Sequence, residues 1–163
     1  MQVLVLADTH VRADRRRTLP DDVWAAAAEA DAILHAGDVM AGWLLDALAA
    51  HAPVHAVLGN NDGELAGELP EALALELDGV RVGMVHDSGP RAGRPGRLRR
   101  MFPSADLVVY GHSHLPDDSV GAGGQLLFNP GSCTERRRAP TRTYGWLELV
   151  AGEVRHRRIV ELA

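Results

Sequence analysis

Four short polar blocks, each just after an apolar run, hold the residues of this chain best suited to chemistry. They are Asp8-Thr9-His10, Gly37-Asp38, Gly59-Asn60-Asn61-Asp62 and Gly111-His112-Ser113-His114, and a lone His86 follows a further apolar run. Carboxylate, amide and imidazole groups are hard-to-borderline metal ligands. A mixed N/O set without thiolate suits Mn²⁺, Fe, Zn²⁺ or Ni²⁺ better than Cu(I) or an iron–sulfur cluster. The set is large enough for two ions. One can take Asp8, His10 and His114, the other Asn60, His86 and His112, with Asp38 bridging through its two carboxylate oxygens. Two divalent ions roughly 3.5–4 Å apart are the usual apparatus for in-line attack on a phosphate ester, and a water held between them becomes a hydroxide nucleophile near neutral pH.

The elements that must position these blocks are legible from apolar periodicity. Residues 1–7, 32–36 and 53–58 read as buried strands, separated by helices over 20–30 and 43–50. That βαβαβ order implies a parallel sheet with right-handed crossovers. Pro20 suits the first turn of its helix, and Asp21 and Asp22 suit the positive end of the helix dipole. Residues 72–77 and 80–85 flank Asp78-Gly79, a two-residue hairpin signal. A Gly/Pro/Arg-rich loop over 90–100 leads into a short helix, and 107–110, 125–128, 143–150 and 153–162 read as later strands. The expectation is one domain over 1–163, a sandwich of two sheets, parallel early and mixed or antiparallel late. Each chemical block falls just beyond a strand's C-terminal end, where open α/β sheets bind ligands.

Composition agrees with a soluble enzyme. The 163 residues are 46% apolar, enough for one full core, and the net charge of −5 argues against a dedicated nucleic-acid binder. The apolar start is too short for a membrane span and lacks the features of a signal peptide. The single Cys133 cannot form an internal disulfide, so a cytoplasmic protein is expected.

Taken singly, most of these features have plainer readings. Gly37-Asp38 and Gly59-Asn60-Asn61-Asp62 are ordinary turn sequences, and His86 reads as a buried core histidine. Two imidazoles directly after a buried strand, as at His112 and His114, are the most specific single signal. The arginines at 91, 94, 97, 99 and 100, and those at 136–138, read as solvated faces before phosphate contacts. His35 reads as core or as a support to the ligands, and Asn129-Pro130-Gly131-Ser132 as a turn closing the sheet near the site.

The ordered set resembles the calcineurin-like metallophosphoesterase superfamily, in its small bacterial and archaeal phosphodiesterase branch. The matching blocks are Asp8-Thr9-His10, Gly37-Asp38, Gly59-Asn60-Asn61-Asp62, His86, Gly111-His112-Ser113-His114 and Asn129-Pro130-Gly131-Ser132. The resemblance implies a four-layer αββα sandwich, often assembled as a homo-oligomer. It implies Asp8, His10, Asp38 and His114 around a first metal, and Asp38, Asn60, His86 and His112 around a second, with Mn²⁺ as the expected ion. Asp38, Asn60, Asn61, Asp62 and His86 are the expected catalytic set, acting on a small phosphodiester, nucleotide-derived in one reading, with no membrane and no stable nucleic-acid partner. Two departures stand out. Asn61 occupies a position where many members carry a proton-donating His, and an amide cannot act as an acid at neutral pH. Asp87 replaces a usual Gly, either supporting His86 or His112 or lying exposed on a loop. The competing readings are a phosphomonoesterase, protein phosphatases included, and a non-enzymatic scaffold like the retromer subunit of this fold.

Overall fold

The structure is a computed structural model that describes residues 1–14 and 16–163. Its first sheet contains β1 (Gln2–Leu6), β2 (Ala32–His35), β3 (Val54–Ala56), β9 (Arg142–Val150) and β10 (Glu153–Leu162), in the order β10-β9-β1-β2-β3. The second contains β4 (Ala72–Leu77), β5 (Val80–Val85), β6 (Leu107–Val109), β7 (Asp117–Val120) and β8 (Leu126–Asn129), in the order β4-β5-β6-β8-β7. Each sheet has a parallel heart, β1-β2-β3 in one and β5-β6-β8 in the other, with antiparallel strands added. Among the described residues three α-helices complete the fold: α1 (Asp21–Glu29), α2 (Gly42–Ala49) and α3 (Arg94–Met101).

The expected four layers are present, and alternation along the strands builds them. Val3, Val5 and Leu34 point into the space between the sheets, where they meet Val82, Met84 and Val109. Their neighbours Leu4, Leu6 and Ile33 point the other way, onto Val23 of α1 and Leu44 and Leu48 of α2. On the far side, Val108 and Leu127 cover Leu98 of α3 and Phe102 just beyond it. Burying each such side chain contributes roughly 1.5–3 kcal/mol, so each layer is held by apolar area rather than by specific bonds.

Asp78-Gly79 closes the β4–β5 hairpin with both residues at positive φ, 48° and 80°, as a type I′ turn needs. β7 has no counterpart in the sequence-based expectation. Its Asp117-Asp118-Ser119-Val120 carries little apolar signal because it pairs with β8 at the open edge of its sheet. No helix among the described residues is long and apolar enough to cross a membrane.

Candidate metal centre

The parallel strands of both sheets deliver their following loops to one rim. Asp8 and His10 follow β1, Asp38 follows β2, Asn60 and Asn61 follow β3, His86 follows β5, and His112 and His114 follow β6. Two three-residue groups come close enough there to hold a cation. Asp8, His10 and His114 form one, and Asp8, Asp38 and His86 the other, all buried, with ligand atoms in each within 4.8 Å of one another. His10 Nε2 lies 3.2 Å from His114 Nε2. His114 Nε2 lies 3.6 Å from Asp8 Oδ1, and His86 Nε2 lies 4.0 Å from the same oxygen. Asp8 thus touches both groups, where the sequence placed it in one.

Asp38 sits between the groups, but not by the expected two-oxygen arrangement. Its Oδ2 lies 3.4 Å from His10 Nε2 and 3.5 Å from His86 Nε2. Its Oδ1 instead accepts the Asn61 backbone N–H at 2.9 Å, and the Asn61 side-chain amide donates to Oδ2 at 2.7 Å. Asn61 engages both oxygens and so fixes the carboxylate, and Oδ2 is the oxygen that faces both histidines.

Asn60 and His112 complete the open side. Asn60 Oδ1 lies 3.0 Å from His86 Nε2 and 3.0 Å from His112 Nδ1, while His112 Nδ1 is 3.3 Å from His86 Nε2. Asn60, Asn61 and His112 are exposed, so the centre has a buried floor and a polar, open mouth. His112 stands at that mouth, outside both buried groups.

The imidazoles are aimed by their second nitrogens. His86 Nδ1 donates to the Ala36 carbonyl at 2.7 Å, and His114 Nδ1 to the Glu135 carbonyl at 3.3 Å, which turns each Nε2 toward the centre, where it can serve as a ligand once unprotonated. His10 Nδ1 packs on the Met40 sulfur at 3.3 Å. Backbone strain is concentrated here too. Among the described residues nine non-glycine residues have positive φ, and Asp8, His10, Asp38, His112 and His114 are five of them. Such conformations cost about 1–3 kcal/mol each and persist where surrounding contacts enforce them. At Gly37, φ is +87° and a Cβ would lie 2.6 Å from His86 Nδ1, so the turn after β2 must be glycine for His86 to reach the rim.

Asp62 is the chief contact that sequence reasoning misassigned. Expected among the catalytic carboxylates, it is buried, and its oxygens are taken by three backbone N–H groups. These come from Asp38 at 2.9 Å, Gly59 at 2.8 Å and Met40 at 2.6 Å. It ties the loops after β2 and β3 together. The turn after β8 does the same for the loop after β1. Ser132 Oγ donates to the Asp8 carbonyl at 2.7 Å, Thr134 Oγ1 to the Thr9 carbonyl at 2.7 Å, and Asn129 Nδ2 to the Gly111 carbonyl at 3.0 Å. His35 is fully buried against Thr9 Oγ1 at 3.0 Å, and burial pushes its pKa down to about 3, so it is a neutral core support. Asp87 is exposed and accepts the Gly89 N–H at 2.7 Å, which makes it a loop residue. Arg97 reaches the carbonyls of Ser88 and Pro90, pinning that loop. Buried Cys133 has its thiol pushed up to about 12 by desolvation and is inert as a nucleophile.

The electrostatics are those of a site short of positive charge. Burial raises the Asp8 pKa to about 7, against the opposing pull of His86, and its Oδ2 is buried without a hydrogen-bond partner. An orphaned, desolvated carboxylate oxygen beside imidazole nitrogens is what a cation would satisfy. Burial would also raise Asp38, but hydrogen bonds from His86 and Asn61 outweigh it and hold the group well below the usual carboxylate range. Burial keeps His10 lowered and brings His114 down to about 4, so both are neutral donors near pH 7. His86 is raised, since Asp38 and the Ala36 carbonyl overcome its burial.

A two-sheet α/β sandwich with buried Asp/His groups at one rim defines a metallophosphoesterase class of protein. The chain belongs to the calcineurin-like phosphoesterase superfamily, whose domain profile matches residues 1–152. It is 35% identical over 144 residues to a protein of Methanothermobacter thermautotrophicus named "Probable metallophosphoesterase", covering 84% of this chain and 80% of that one. The fold matches a single mutant of Vps29 from Entamoeba histolytica at a TM-score of 0.77, with 23% identity and all of both chains covered. It matches a protein described as a novel archaeal phosphodiesterase at a TM-score of 0.72, with 21% identity over 99% of this chain and 100% of that chain.

Proposed function

We propose that the protein is a dinuclear metal-dependent phosphodiesterase, with Mn²⁺ as the working ion and a small, nucleotide-derived diester as substrate. The observation that carries the reading is Asp38 Oδ2, set almost equally between His10 Nε2 and His86 Nε2 at 3.4 and 3.5 Å. Asp8, His10, Asp38 and His114 would hold one ion, and Asp38, Asn60, His86 and His112 the other. When bound, two such ions supply a nucleophile from water at neutral pH and neutralise charge on the phosphoryl oxygens. The chain's own part is to fix positions. Asn61 orients Asp38, Asp62 locks the loops that carry Asp38 and Asn60, and the exposed mouth at Asn60 and His112 admits the ester.

Asn61 also favours esters with good leaving groups. Its amide is engaged by Asp38 and has no acidic proton, so leaving groups that need protonation are handicapped. The similarity to a protein described as an archaeal phosphodiesterase supports the diester. The similarity to Vps29 favours the scaffold as second reading, but Asp8, His10, Asp38, His86 and His114 forming two groups able to hold a cation supports the enzyme.

Asp38→Asn tests the reading. Metal content by mass spectrometry should fall below two ions per chain, and hydrolysis of bis(4-nitrophenyl) phosphate should drop by at least about a hundredfold, since even partners of ligands cost 10–100-fold. Two tightly held ions and full activity in a folded variant would overturn it.

A further inference from the structure

Beside the first group of ligands lies a charged cluster that the proposed chemistry does not use. Glu135 follows the turn after β8, and its carbonyl receives the His114 Nδ1–H at 3.3 Å. Its carboxylate pairs with Arg17 on one oxygen and with Arg137 on the other, at 3.5 Å for Arg137. Arg137 has φ of +45°, a left-handed conformation that a side chain of this size rarely adopts. It lies in a turn closed by the Ala139 N–H on the Arg136 carbonyl at 2.8 Å. Among the described residues no second carboxylate pairs with either arginine. Arg137 is tied to the first ligand group through Glu135, whose carboxylate it pairs with and whose carbonyl receives His114.

Charge balance says what such a cluster is for. Two divalent ions carry four positive charges, Asp8 and Asp38 remove two, and a hydroxide nucleophile removes a third. The one left over is matched by a monoanionic diester. Arg17 and Arg137 against Glu135 leave a further positive charge on a half-exposed surface, with side-chain exposures of 41% and 50% for the arginines. Glu135 holds both guanidinium groups next to the segment whose carbonyl receives His114, and planar forks of this kind suit phosphate oxygens.

We propose that Arg17 and Arg137, held by Glu135, form a subsite for a second phosphate group on the substrate, so that the preferred diester carries a terminal phosphomonoester. This rests on the phosphodiesterase reading. The same ligand chemistry distinguishes it from a general basic surface, because Arg138 is next in sequence, is exposed and pairs with no carboxylate within 4.0 Å among the described residues.

The test uses two esters with the same leaving group and the same scissile diester: thymidine 5′-(4-nitrophenyl phosphate) and its 3′-phosphorylated counterpart. On Mn²⁺-loaded protein the 3′-phosphate should raise kcat/KM about tenfold, the effect of one charge-assisted contact discounted for solvent exposure. That ratio should fall to about one in Arg137→Ala and in Arg17→Ala and stay in Arg138→Ala. Calorimetry supplies a readout independent of turnover: thymidine 3′,5′-bisphosphate should bind about tenfold more tightly than thymidine 5′-monophosphate, and Arg137→Ala should erase the difference. A ratio of one in the unaltered protein, or a ratio that survives both substitutions, overturns the subsite. If neither ester is hydrolysed while the bisphosphate preference and its loss in Arg137→Ala are seen, the subsite stands and the phosphodiesterase reading fails.

Discussion

Replacing Asp62 by alanine should damage this protein more than replacing any exposed charge, although Asp62 is not expected to meet substrate. Three N–H groups, two buried ones from Asp38 and Gly59 and a half-buried one from Met40, end on its two oxygens at 2.9, 2.8 and 2.6 Å. Alanine leaves all three without an acceptor in a site where Asp62 is 1% exposed. Each unsatisfied buried donor costs about 1–3 kcal/mol, and since the three share one carboxylate the losses are less than additive, giving about 3–6 kcal/mol. Against a total of about 5–15 kcal/mol for an ordinary domain, that is a large fraction of stability. Asp62→Asn keeps one oxygen acceptor and turns an NH₂ toward the remaining donors, so about half the loss is expected. Urea unfolding of the metal-free protein, compared through midpoints at constant slope, measures both. Because the same hydrogen bonds set the loops carrying Asp38 and Asn60, metal affinity should fall along with stability. An Asp62→Ala protein within about 1 kcal/mol of the parent, or one that keeps its metal affinity, would refute the assignment of Asp62 as the tie between the loops.

Two further outcomes follow from the site. With the Asp8 pKa near 7 in the metal-free protein, a cation must displace a proton there, and the raised His86 must lose one as well; affinity therefore rises with pH through 7. Calorimetric Mn²⁺ titrations should show binding about tenfold weaker at pH 6 than at pH 8, and a flat profile would show that Asp8 is not a ligand. Asn61→His should recover part of the rate on poorly activated leaving groups, up to the roughly 10²–10⁴-fold that a general acid contributes, and should flatten the dependence of rate on leaving-group pKa across a series of aryl and alkyl esters. A dependence already flat in the unaltered protein, with chemistry rate-limiting, would mean that another residue donates the proton.

Much of this centre can be seen in the chain before it folds, because each ligand block sits just past an apolar run and parallel strands send such loops to one rim. The β4–β5 hairpin was equally legible, since Asp78-Gly79 meets the conformational demand of its turn. What escaped depends on orientation and on distant partners. A carboxylate in a turn looks the same whether it meets a metal or three N–H groups, which is why the sequence groups Asp62 with the catalytic residues while its oxygens bind backbone. The single shared oxygen of Asp38 is set by Asn61, whose hydrogen bonds no spacing encodes. Arg17 and Glu135 meet across 118 residues, and the polar edge strand β7 has no apolar alternation to announce it.

The most direct test of the central claim is a Mn²⁺ titration of the chelated protein, following bound metal and bis(4-nitrophenyl) phosphate hydrolysis on the same sample. Activity should be absent at zero metal and should rise to a plateau as occupancy reaches two ions per chain. Hydrolysis persisting with metal verified absent, or two ions bound with no hydrolysis of any diester, would contradict the account.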